Sequence, residues 1–525
     1  MKIVKPKKAN KSTKKPQKPE KEELQEKNLI LPDLQKNIKV LEETFGDNLD
    51  FILREMLAGS KGELNIAVAF LETLVDKVMI SEFFLEKLCT YNYETDILPE
   101  EKFKNLEKIL KSIPAALSIE EDDKWEEILK AIVVGKAVFF IDGYHKAWIV
   151  EARAWKERGI SEPQNETVVH GPREGFVEGL QTNIGLLRRR IKTHNFIAKT
   201  VTIGTTSSND VVICYLKGVA DESLVDEVEN KIKAINIEGV VSDNVINEFI
   251  EGTPITPFKL ISTTERPDKI AGSLLEGRVA ILTENSPNAM IVPTVFWQFF
   301  QSAEDYYERF PVAAFNRIIR MISFIFVLSL TAFYVAIATY HQEMIPTQLA
   351  LTMSAIRGPV PFPTVVEALL LELVLEGLRE AGLRLPKAAG QAVSIVGALV
   401  MGQAAVEAGL VSPQLVIIVA ASGVFSFLIP DYSFVISLRL LKFLLIILAS
   451  VLGIFGLIMG FMGIFLHLNG LESFGVPYMS PVTPFKKRDM KDVFWRAPWP
   501  QMGKVGPKGP PGQGEEKEDE NQAEK

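Results

Sequence analysis

Residues 443–468 read FLLIILASVLGIFGLIMGFMGIFLHL, without a single Asp, Glu, Lys or Arg. A helix needs roughly 20 apolar residues to cross the hydrocarbon core of a bilayer, so this stretch predicts a membrane-spanning segment. Gly456 and Gly460 within it form a small-xxx-small pair, which suits close packing of one helix on another. Glycines at this spacing also occur incidentally in helices, and the sequence alone does not favour either interpretation.

Three further apolar runs precede this stretch. Residues 318–339 are long enough to span, residues 389–411 form a weaker candidate that is rich in Gly and Ala, and residues 413–430 form another. The core of a soluble protein does not need so many long apolar runs. We therefore predict an all-α, multi-pass transmembrane domain over residues 311–470.

Residues 364–382 are rich in leucine but also charged. In a helix, which advances about 100° per residue, one face would carry the ionisable side chains and the opposite face the leucines. An ionisable face inside a membrane must meet protein or water, so it marks a conduction or coupling path. An amphipathic helix at the membrane surface fits the pattern equally well. The candidate pore or gating residues on this face are Glu372, Glu376, Arg379 and Glu380.

The segment RGPVPFP (residues 357–363) lies immediately before that helix. Its three prolines are incompatible with a continuous helix. Non-helical backbone is tolerated at membrane depth only where it is buried in protein or lines a cavity. Arg357, Pro361 and Pro363 are therefore candidates for a re-entrant or gating element, and an exposed loop is the alternative.

The basic residues predict the topology. Residues 1–30 form a lysine-rich arm that we expect to be disordered, either as a solvated tail or in contact with anionic lipids. By the positive-inside rule this arm, together with Arg317 and Arg320, places the N-terminal half in the cytoplasm. The basic cluster at residues 486–491 places the C-terminal tail, residues 471–525, on the same side. The number of crossings is then even, either four or six.

The N-terminal half has the alternating pattern of an α/β protein, and we divide it into two tandem subdomains, residues 31–155 and 156–310. Apolar spacing of three to four residues predicts helices, and short apolar runs bounded by turn residues predict strands. In the first subdomain we expect helices at residues 34–57, 81–88 and 124–132, and strands at residues 65–71, 136–141 and 147–150.

The second subdomain repeats the plan of the first. We expect a strand at residues 211–216, a helix at 223–235, and a hairpin formed by residues 277–282 and 289–292. Both halves thus read as strand–helix followed by strand–turn–strand, at an offset of about 140 to 145 residues. The offset predicts an internal duplication, with coincidence of common patterns as the alternative.

Composition and motifs exclude several classes of protein. The 525 residues carry a net charge of −8 and are 47% hydrophobic. Two cysteines and five scattered histidines rule out a disulfide framework and a cysteine-rich metal site. The chain has no P-loop, no dinucleotide fingerprint and no nucleophile elbow, so we expect no cofactor and no enzymatic activity. The basic residues lack interleaved aromatics, so we expect no nucleic-acid partner. The acidic pair Glu304-Asp305, beside two tyrosines and Arg309, predicts an interfacial anchor.

Several long motifs spread over both halves closely resemble those of the GerA family of spore germination proteins, the A subunits of nutrient germinant receptors. The resemblance covers about residues 31–495. The sequence departs from the family at His170, where Arg is usual, in residues 203–210, and at Gly358 and Pro359, where Glu and Gly are expected. The motifs are GPREGFVEGLQTNIGLLRRRIK (171–192), TERPDKIAGSLLEGRVAIL (264–282), FFQSAEDYYERF (299–310), YHQEMIPTQL (340–349), LREAGLRLPKAAGQAVSIVGALVMGQAAVEAGLVSP (378–413) and SFGVPYMSP (473–481).

The resemblance implies a multi-pass protein of the spore inner membrane that acts with receptor B and C subunits. It also implies a homo-oligomeric channel that releases monovalent cations in response to nutrients, with the nutrient recognised largely by the B subunit. An accessory germination channel without its own nutrient specificity is an alternative. A secondary transporter would need paired broken helices in two inverted membrane halves, and a membrane-tethered enzyme would need convergent catalytic residues. The sequence shows neither feature.

Overall fold

The computed structural model describes most of the chain and divides it into two compact units. The first comprises Met1–Lys156 with Lys192–His194, and the second comprises Glu157–Ile191 with Asn195–Lys525. The residues described are 29–59, 64–81, 119–153, 162–163, 166–253, 255–386, 397, 400–487 and 489–502.

The first unit is a five-stranded antiparallel sheet packed against helices. The strand order is β1-β2-β4-β5-β3. Leu41 and Phe45 of the first helix and Ile128 and Ile132 of the second are fully buried in the core with the strands. The elements in chain order are α1 (Leu34–Phe45), β1 (Phe51–Ala58), β2 (Leu64–Leu71), β3 (Ile119–Asp122), α2 (Trp125–Val134), β4 (Lys136–Ile141) and β5 (Ala147–Glu151).

The single helix predicted at residues 34–57 is wrong, because this region is a helix followed by a strand. Asp33 caps the start of α1, and the helix ends at Phe45, where the backbone N–H of Gly46 bonds to Glu42 O. Residues 51–58 then pair in full register with β2. The turn between them interrupts the helix, and pairing with a buried strand outweighs the weak helical periodicity. The other predicted elements of this subdomain are confirmed, except for residues 81–88, which, apart from Ser81, lie outside the described residues.

The α/β part of the second unit has the same topology. Its sheet order is β6-β7-β9-β10-β8. Strands β7, β9 and β10 occupy the positions that β2, β4 and β5 occupy in the first sheet, as the sequence comparison predicted. The elements are α3 (Leu180–Arg190), β6 (Phe196–Ile203), β7 (Asn209–Leu216), α4 (Glu222–Lys233), α5 (Asp243–Ile250), β8 (Ser262–Thr264), α6 (Pro267–Leu275), β9 (Val279–Thr283) and β10 (Ala289–Val292).

The C-terminal part of the second unit is helical, as predicted. Two of its helices, α7 and α12, are long and apolar enough to cross a membrane. Helix α11 is shorter, at about 21 Å, and much of the predicted span 389–411 lies outside the described residues. The elements are α7 (Phe310–Tyr340), α8 (Thr347–Arg357), α9 (Thr364–Arg384), α10 (Ala405–Glu407), α11 (Pro413–Ser426), α12 (Tyr432–Asn469), β11 (Glu472–Ser473), β12 (Val476–Pro477) and α13 (Trp499–Met502).

Helix α12 is folded back on itself at Gly453, whose φ of 62° and ψ of −142° are not helical. The ring of Phe258 lies 6.3 Å from that of Phe434, near the start of α12, and 6.1 Å from that of His467, near its end. A straight helix would separate those two positions by about 50 Å. The predicted span 443–468 is therefore a helical hairpin with two antiparallel arms.

The first arm of the hairpin runs parallel to α7. The rings of Phe324 and Phe434 stack 6.3 Å apart at one end, and Tyr340 Oη donates a hydrogen bond to Ser450 O, 3.0 Å away, at the other. We call these the proximal and distal ends of the bundle. The tip of the hairpin at Gly453 lies at the distal end against His341.

A buried ionic cluster secures the proximal end. Arg317 is fully buried and donates to the carboxylates of Asp305, at 3.1 Å, and Asp492, at 2.7 Å. Arg320 donates to the same Asp305 at 2.7 Å. Tyr306 Oη donates to Asp492 at 2.7 Å, and burial, reinforced by this carboxylate, raises the pKa of Tyr306 well above its usual value. The first part of the predicted tail is thus folded onto the start of α7.

Replacing Asp492 with Asn is expected to lower the free energy of unfolding by about 1–3 kcal/mol, because Arg317 loses one of its two buried carboxylates. The measurement is the thermal midpoint of the detergent-purified chain. Glu343, which is exposed beyond the distal end of α7, supplies the control Glu343→Gln, with an expected change within about 0.5 kcal/mol. Equal midpoints for the two variants would contradict the role of the cluster.

Candidate functional site

The centre of the helical bundle holds a buried ion pair. Glu372 of α9 is fully buried, with 0% of its surface exposed. Lys442 Nζ of α12 lies 2.5 Å from one carboxylate oxygen, and Thr331 Oγ1 of α7 donates to the other at 2.8 Å. One carboxylate therefore joins three helices.

A second group of charges lies one turn further along α9. Glu376 accepts hydrogen bonds from Arg379 at 2.9 Å and from Arg439 of α12 at 3.3 Å. Arg379 also donates to Ser426 Oγ at the end of α11, 3.1 Å away, and lies over the ring of Phe427. We call Glu372, Lys442, Glu376, Arg379 and Arg439 the ion-pair layer.

A third contact ties the start of α9 to its neighbours. Glu367 is fully buried and accepts a hydrogen bond from the backbone N–H of Ser412 at 2.9 Å. Arg357, at the end of α8, lies 3.4 Å from the other oxygen of the same carboxylate. The structure thus brings Arg357 to α9 through Glu367, a residue that the analysis of the sequence did not select.

Glu367 and Glu372 of α9 are fully buried in the bundle, whereas Leu370 and Leu373 are exposed and Leu371 is buried. Leu373 has 63% of its surface exposed, whereas the adjacent Glu372 has none. A soluble protein arranges its helices the other way round. Apolar side chains outside and ionic groups inside fit a helix surrounded by lipid whose charges meet other helices. An amphipathic helix at the membrane surface would instead expose its charged side chains to water.

The remaining predicted residues lie apart from the ion-pair layer. Glu380 is exposed and pairs with Arg384, 2.6 Å away on its own helix. Pro361 and Pro363 are exposed in the segment between α8 and α9, and Pro363 O accepts the first backbone hydrogen bonds of α9.

Gly456 and Gly460 lie on the second arm of the hairpin, facing the first. A Cβ atom on Gly456 would overlap the backbone oxygen of Leu448, and one on Gly460 would overlap the side chain of Leu445. The two glycines therefore lie where the two arms approach most closely.

Lys442 and Arg439 were missed because the predicted span began one residue after Lys442. They are the only Lys or Arg residues in the sequence of α12. Because charged residues inside apolar helices need partners, they could have been matched to the acidic face of α9. Thr331 is uncharged, so nothing in the sequence indicated that it contacts Glu372.

The side chains of the site form ion pairs. In the part of the chain that the structure describes, no group of three or more His, Cys, Asp or Glu residues could hold a metal ion. Paired charges interact strongly in a medium of low dielectric constant, and removing one partner leaves the other buried and uncompensated. The ion-pair layer can therefore hold α9 in one position against α7 and α12. If its charged groups exchanged partners, α9 would be free to move.

Comparison with known proteins gives the family of the chain. The model of the Bacillus/Clostridium GerA spore germination proteins matches residues 39–506. The chain is 42% identical to spore germination protein KA of Bacillus subtilis over 90% of this chain and 87% of that protein. It is 41% identical to the uncharacterised membrane protein YfkQ of the same organism, over 90% of each chain.

Among solved structures, the N-terminal domain of the A subunit of the Bacillus megaterium germinant receptor GerK3 matches with 26% identity and a TM-score of 0.40. The match covers 51% of this chain and 97% of that one. The family match spans both the two-sheet region and the helical bundle with its ion-pair layer. The chain belongs to the GerA family of spore germination proteins.

Proposed function

We propose that the chain is the A subunit of a nutrient germinant receptor and that its helical bundle, as a homo-oligomer, forms an ion channel whose opening releases monovalent cations. Family membership supports the receptor assignment. The observation that carries the channel assignment is the ion-pair layer, because charged groups at the centre of an apolar bundle mark conduction or coupling paths.

In this proposal the layer acts as the gate. In the closed state Lys442 neutralises Glu372, and Arg379 and Arg439 together hold Glu376. A movement of α9 that separates these partners would expose the carboxylates to water, where they attract cations. Arg357, Pro361 and Pro363 lie at the distal start of α9, where a hinge would allow that movement.

We also propose six membrane crossings. Helix α7 runs from the proximal to the distal end. Helices α9 and α11 are parallel to each other, since Glu367 contacts Ser412 at one end and Arg379 contacts Ser426 at the other. Both run back towards the proximal end, where the ring of Phe425 lies 4.8 Å from that of Phe326.

The two arms of the hairpin add two further crossings, the first towards the distal end and the second back to the proximal end. We propose a sixth crossing because the chain leaves α9 at the proximal end and enters α11 at the distal end. An even number returns residues 471–502 to the side of the N-terminal half, and the basic residues support our proposal that this side is the cytoplasm. The membrane we propose is the spore inner membrane.

The proposed partners are the receptor B and C subunits, further copies of this chain and the lipid membrane. The nutrient germinant acts indirectly, through the B subunit. We propose no enzymatic activity and no cofactor.

The test is deletion of the gene in a spore former that carries it, followed by measurement of potassium release against a panel of nutrients. Loss of release with one class of nutrient is expected for a receptor A subunit. A uniformly weaker response to every nutrient would instead support the accessory channel. Unchanged release with every nutrient would contradict the receptor assignment.

A further inference from the structure

The chain that follows the membrane hairpin returns to the start of α7. We call residues 482–487 and 489–502 the post-hairpin segment. Asp492 of this segment accepts a hydrogen bond from Arg317 of α7 at 2.7 Å, and Gln301 Nε2 donates to the backbone oxygen of Asp492 at 2.7 Å. The post-hairpin segment is therefore held against the proximal end of the bundle.

Two tryptophans of the post-hairpin segment are exposed. Trp495 has 51% of its surface exposed, and Trp499 has 59%. The ring of Trp499 lies 6.1 Å from that of Tyr306, whose hydroxyl donates to Asp492. Exposed apolar patches mark surfaces that contact other proteins or membranes, so the two rings indicate a binding surface.

The tryptophans lie near the level at which α7 becomes uniformly apolar. Arg317 and Arg320 are the last charged residues of α7, and residues 321–340 carry none. Arg317 contacts Asp492, and Trp495 follows three residues later, a stretch that spans at most about 10 Å. In the proposed membrane placement, this level is the boundary between the hydrocarbon and the lipid headgroups. A surface at this depth contacts lipid more readily than a soluble protein.

The post-hairpin segment is basic as well as aromatic. It contains four basic and two acidic residues, a net charge of +2. One of the acidic residues, Asp492, is buried in the ionic cluster with Arg317. Within the described residues, none of the exposed lysines of the segment forms an ion pair. These lysines are Lys486, Lys487 and Lys491. The exposed charge of the segment is therefore mainly positive.

Arg496 adds a positive charge that has no carboxylate partner. Only 2% of its surface is exposed, and its Nη2 donates to the backbone oxygen of Glu308 at 3.3 Å. Its guanidinium lies over the ring of Trp499, 5.6 Å from the ring centre. Within the described residues, its Nε and Nη1 have no hydrogen-bond partner. Because a buried charge without a counter-ion is costly, Arg496 favours an anion on the side of the segment where Trp499 is exposed.

We propose that the post-hairpin segment binds the anionic phospholipid headgroups at the proximal surface of the membrane. Trp495 and Trp499 lie among the headgroups, the depth at which tryptophan is enriched in membrane proteins. The lysines attract the phosphates, since basic clusters next to a membrane span bind anionic lipid. Through Asp492 and Arg317, the bound headgroups also hold the start of α7 at the membrane surface. This inference rests on the proposed placement of α7 and α12 in the membrane.

The test uses the full chain in nanodiscs of phosphatidylcholine, alone or mixed with phosphatidylglycerol. Lipids brominated at the headgroup end of the acyl chain quench tryptophans that lie at that depth. We expect part of the tryptophan fluorescence to be quenched. We also expect a higher thermal midpoint in the anionic nanodiscs, because headgroups that bind the folded state stabilise it.

Inorganic phosphate offers the same anionic group without a membrane. Added to the detergent-purified chain, it should leave the thermal midpoint unchanged. A rise equal to that in anionic nanodiscs would assign the segment to a free anion and overturn the proposal.

Tryptophan variants locate the contact. Trp495→Phe combined with Trp499→Phe should remove most of the quenching, because the two most exposed rings at the membrane surface are lost. Trp148→Phe, in the core of the first unit with 2% of its surface exposed, is the control and should leave the quenching unchanged. Circular dichroism verifies that each variant is folded.

Lysine variants test the charge of the surface. The triple variant is Lys486→Gln, Lys487→Gln and Lys491→Gln. It should lose most of the rise in midpoint that anionic nanodiscs give to the parent. The matched control replaces three exposed lysines of the first unit with glutamine, namely Lys36, Lys39 and Lys124. The control should keep the full rise, and an equal loss in both triple variants would contradict a contact with the post-hairpin segment.

The outcomes separate this inference from the membrane placement on which it rests. A chain that does not enter nanodiscs contradicts the placement and, with it, the inference. A chain that enters them but shows equal quenching in the parent and in the folded tryptophan double variant refutes only the contact with headgroups. If the double variant instead lost its association with receptor subunits at unchanged quenching, the two rings would belong to a protein interface, which would also overturn the proposal.

Discussion

Replacing Glu372 with Ala is expected to destabilise the chain by about 3–5 kcal/mol, because the ammonium group of Lys442 is left buried without its partner. Lys442 is itself buried, so water cannot easily compensate for the lost carboxylate. Thr331 loses its acceptor in the same change. The measurements are the thermal midpoint of the detergent-purified chain and its abundance in spore membranes.

Glu380→Ala is the matched control for Glu372→Ala. It lies on the same helix and also removes a carboxylate from an ion pair, but both partners are exposed. Exposed pairs contribute about 0–1 kcal/mol, so its midpoint should stay close to that of the parent. Similar losses in the two variants would show that the ion-pair layer has no special energetic role.

The double variant Glu372→Lys with Lys442→Glu tests the pair itself. It restores opposite charges at the same two positions, so it should recover part of the lost stability. If the layer is also the gate, Glu372→Gln should alter the rate of potassium release even in spores with normal protein abundance. Unchanged release at normal abundance would refute the gating role and leave the structural role intact.

Gly453→Ala is expected to cost about 3 kcal/mol or more. The backbone at Gly453 adopts a conformation that is essentially restricted to glycine, which accounts for about 1–3 kcal/mol. A Cβ atom would also lie only 2.7 Å from the ring of His341, and overpacking of this kind adds about 1–3 kcal/mol. The hairpin would open or shift at its tip. Membrane abundance and the thermal midpoint measure the effect.

Gly463→Ala, on the second arm of the same hairpin, is the control. A Cβ atom at this position has no neighbour within 4 Å among the described residues, and its backbone is helical. Replacing a helical glycine with alanine stabilises by about 0.5–1 kcal/mol, so this variant should equal or exceed the parent in stability. A Gly453→Ala variant as stable as Gly463→Ala would mean that α12 does not turn at Gly453.

The sequence predicted the three central strands of each sheet because local patterns specify them, but it did not predict the edge strands β1, β3, β6 and β8. Short apolar runs next to turn residues marked β2, β4 and β5, and their repetition marked β7, β9 and β10. The error at residues 34–57 arose because apolar spacing cannot distinguish a helix from a helix followed by a strand when the intervening turn is short.

The candidate site was predicted only in part. The spacing of Glu372, Glu376 and Arg379 correctly placed them on one face, because helical geometry depends on sequence separation alone. Their partners Lys442 and Arg439 lie more than 60 residues away. Which distant charge meets which carboxylate depends on how the helices pack, and local periodicity carries no information about that.

The amino-acid sequence by itself determined that this chain joins a repeated α/β half to an apolar helical half. The length of an apolar run and the spacing of its apolar residues are local properties, and they decide whether a segment partitions into lipid or packs in a water-soluble core. Only the tertiary structure decided that the longest apolar run is a hairpin, that Glu372 of α9 is buried, and that the chain after α12 folds back onto the start of α7. Each of these features depends on contacts between residues far apart in the chain, and a buried charge or a folded-back helix is stable only when its distant partner is in place.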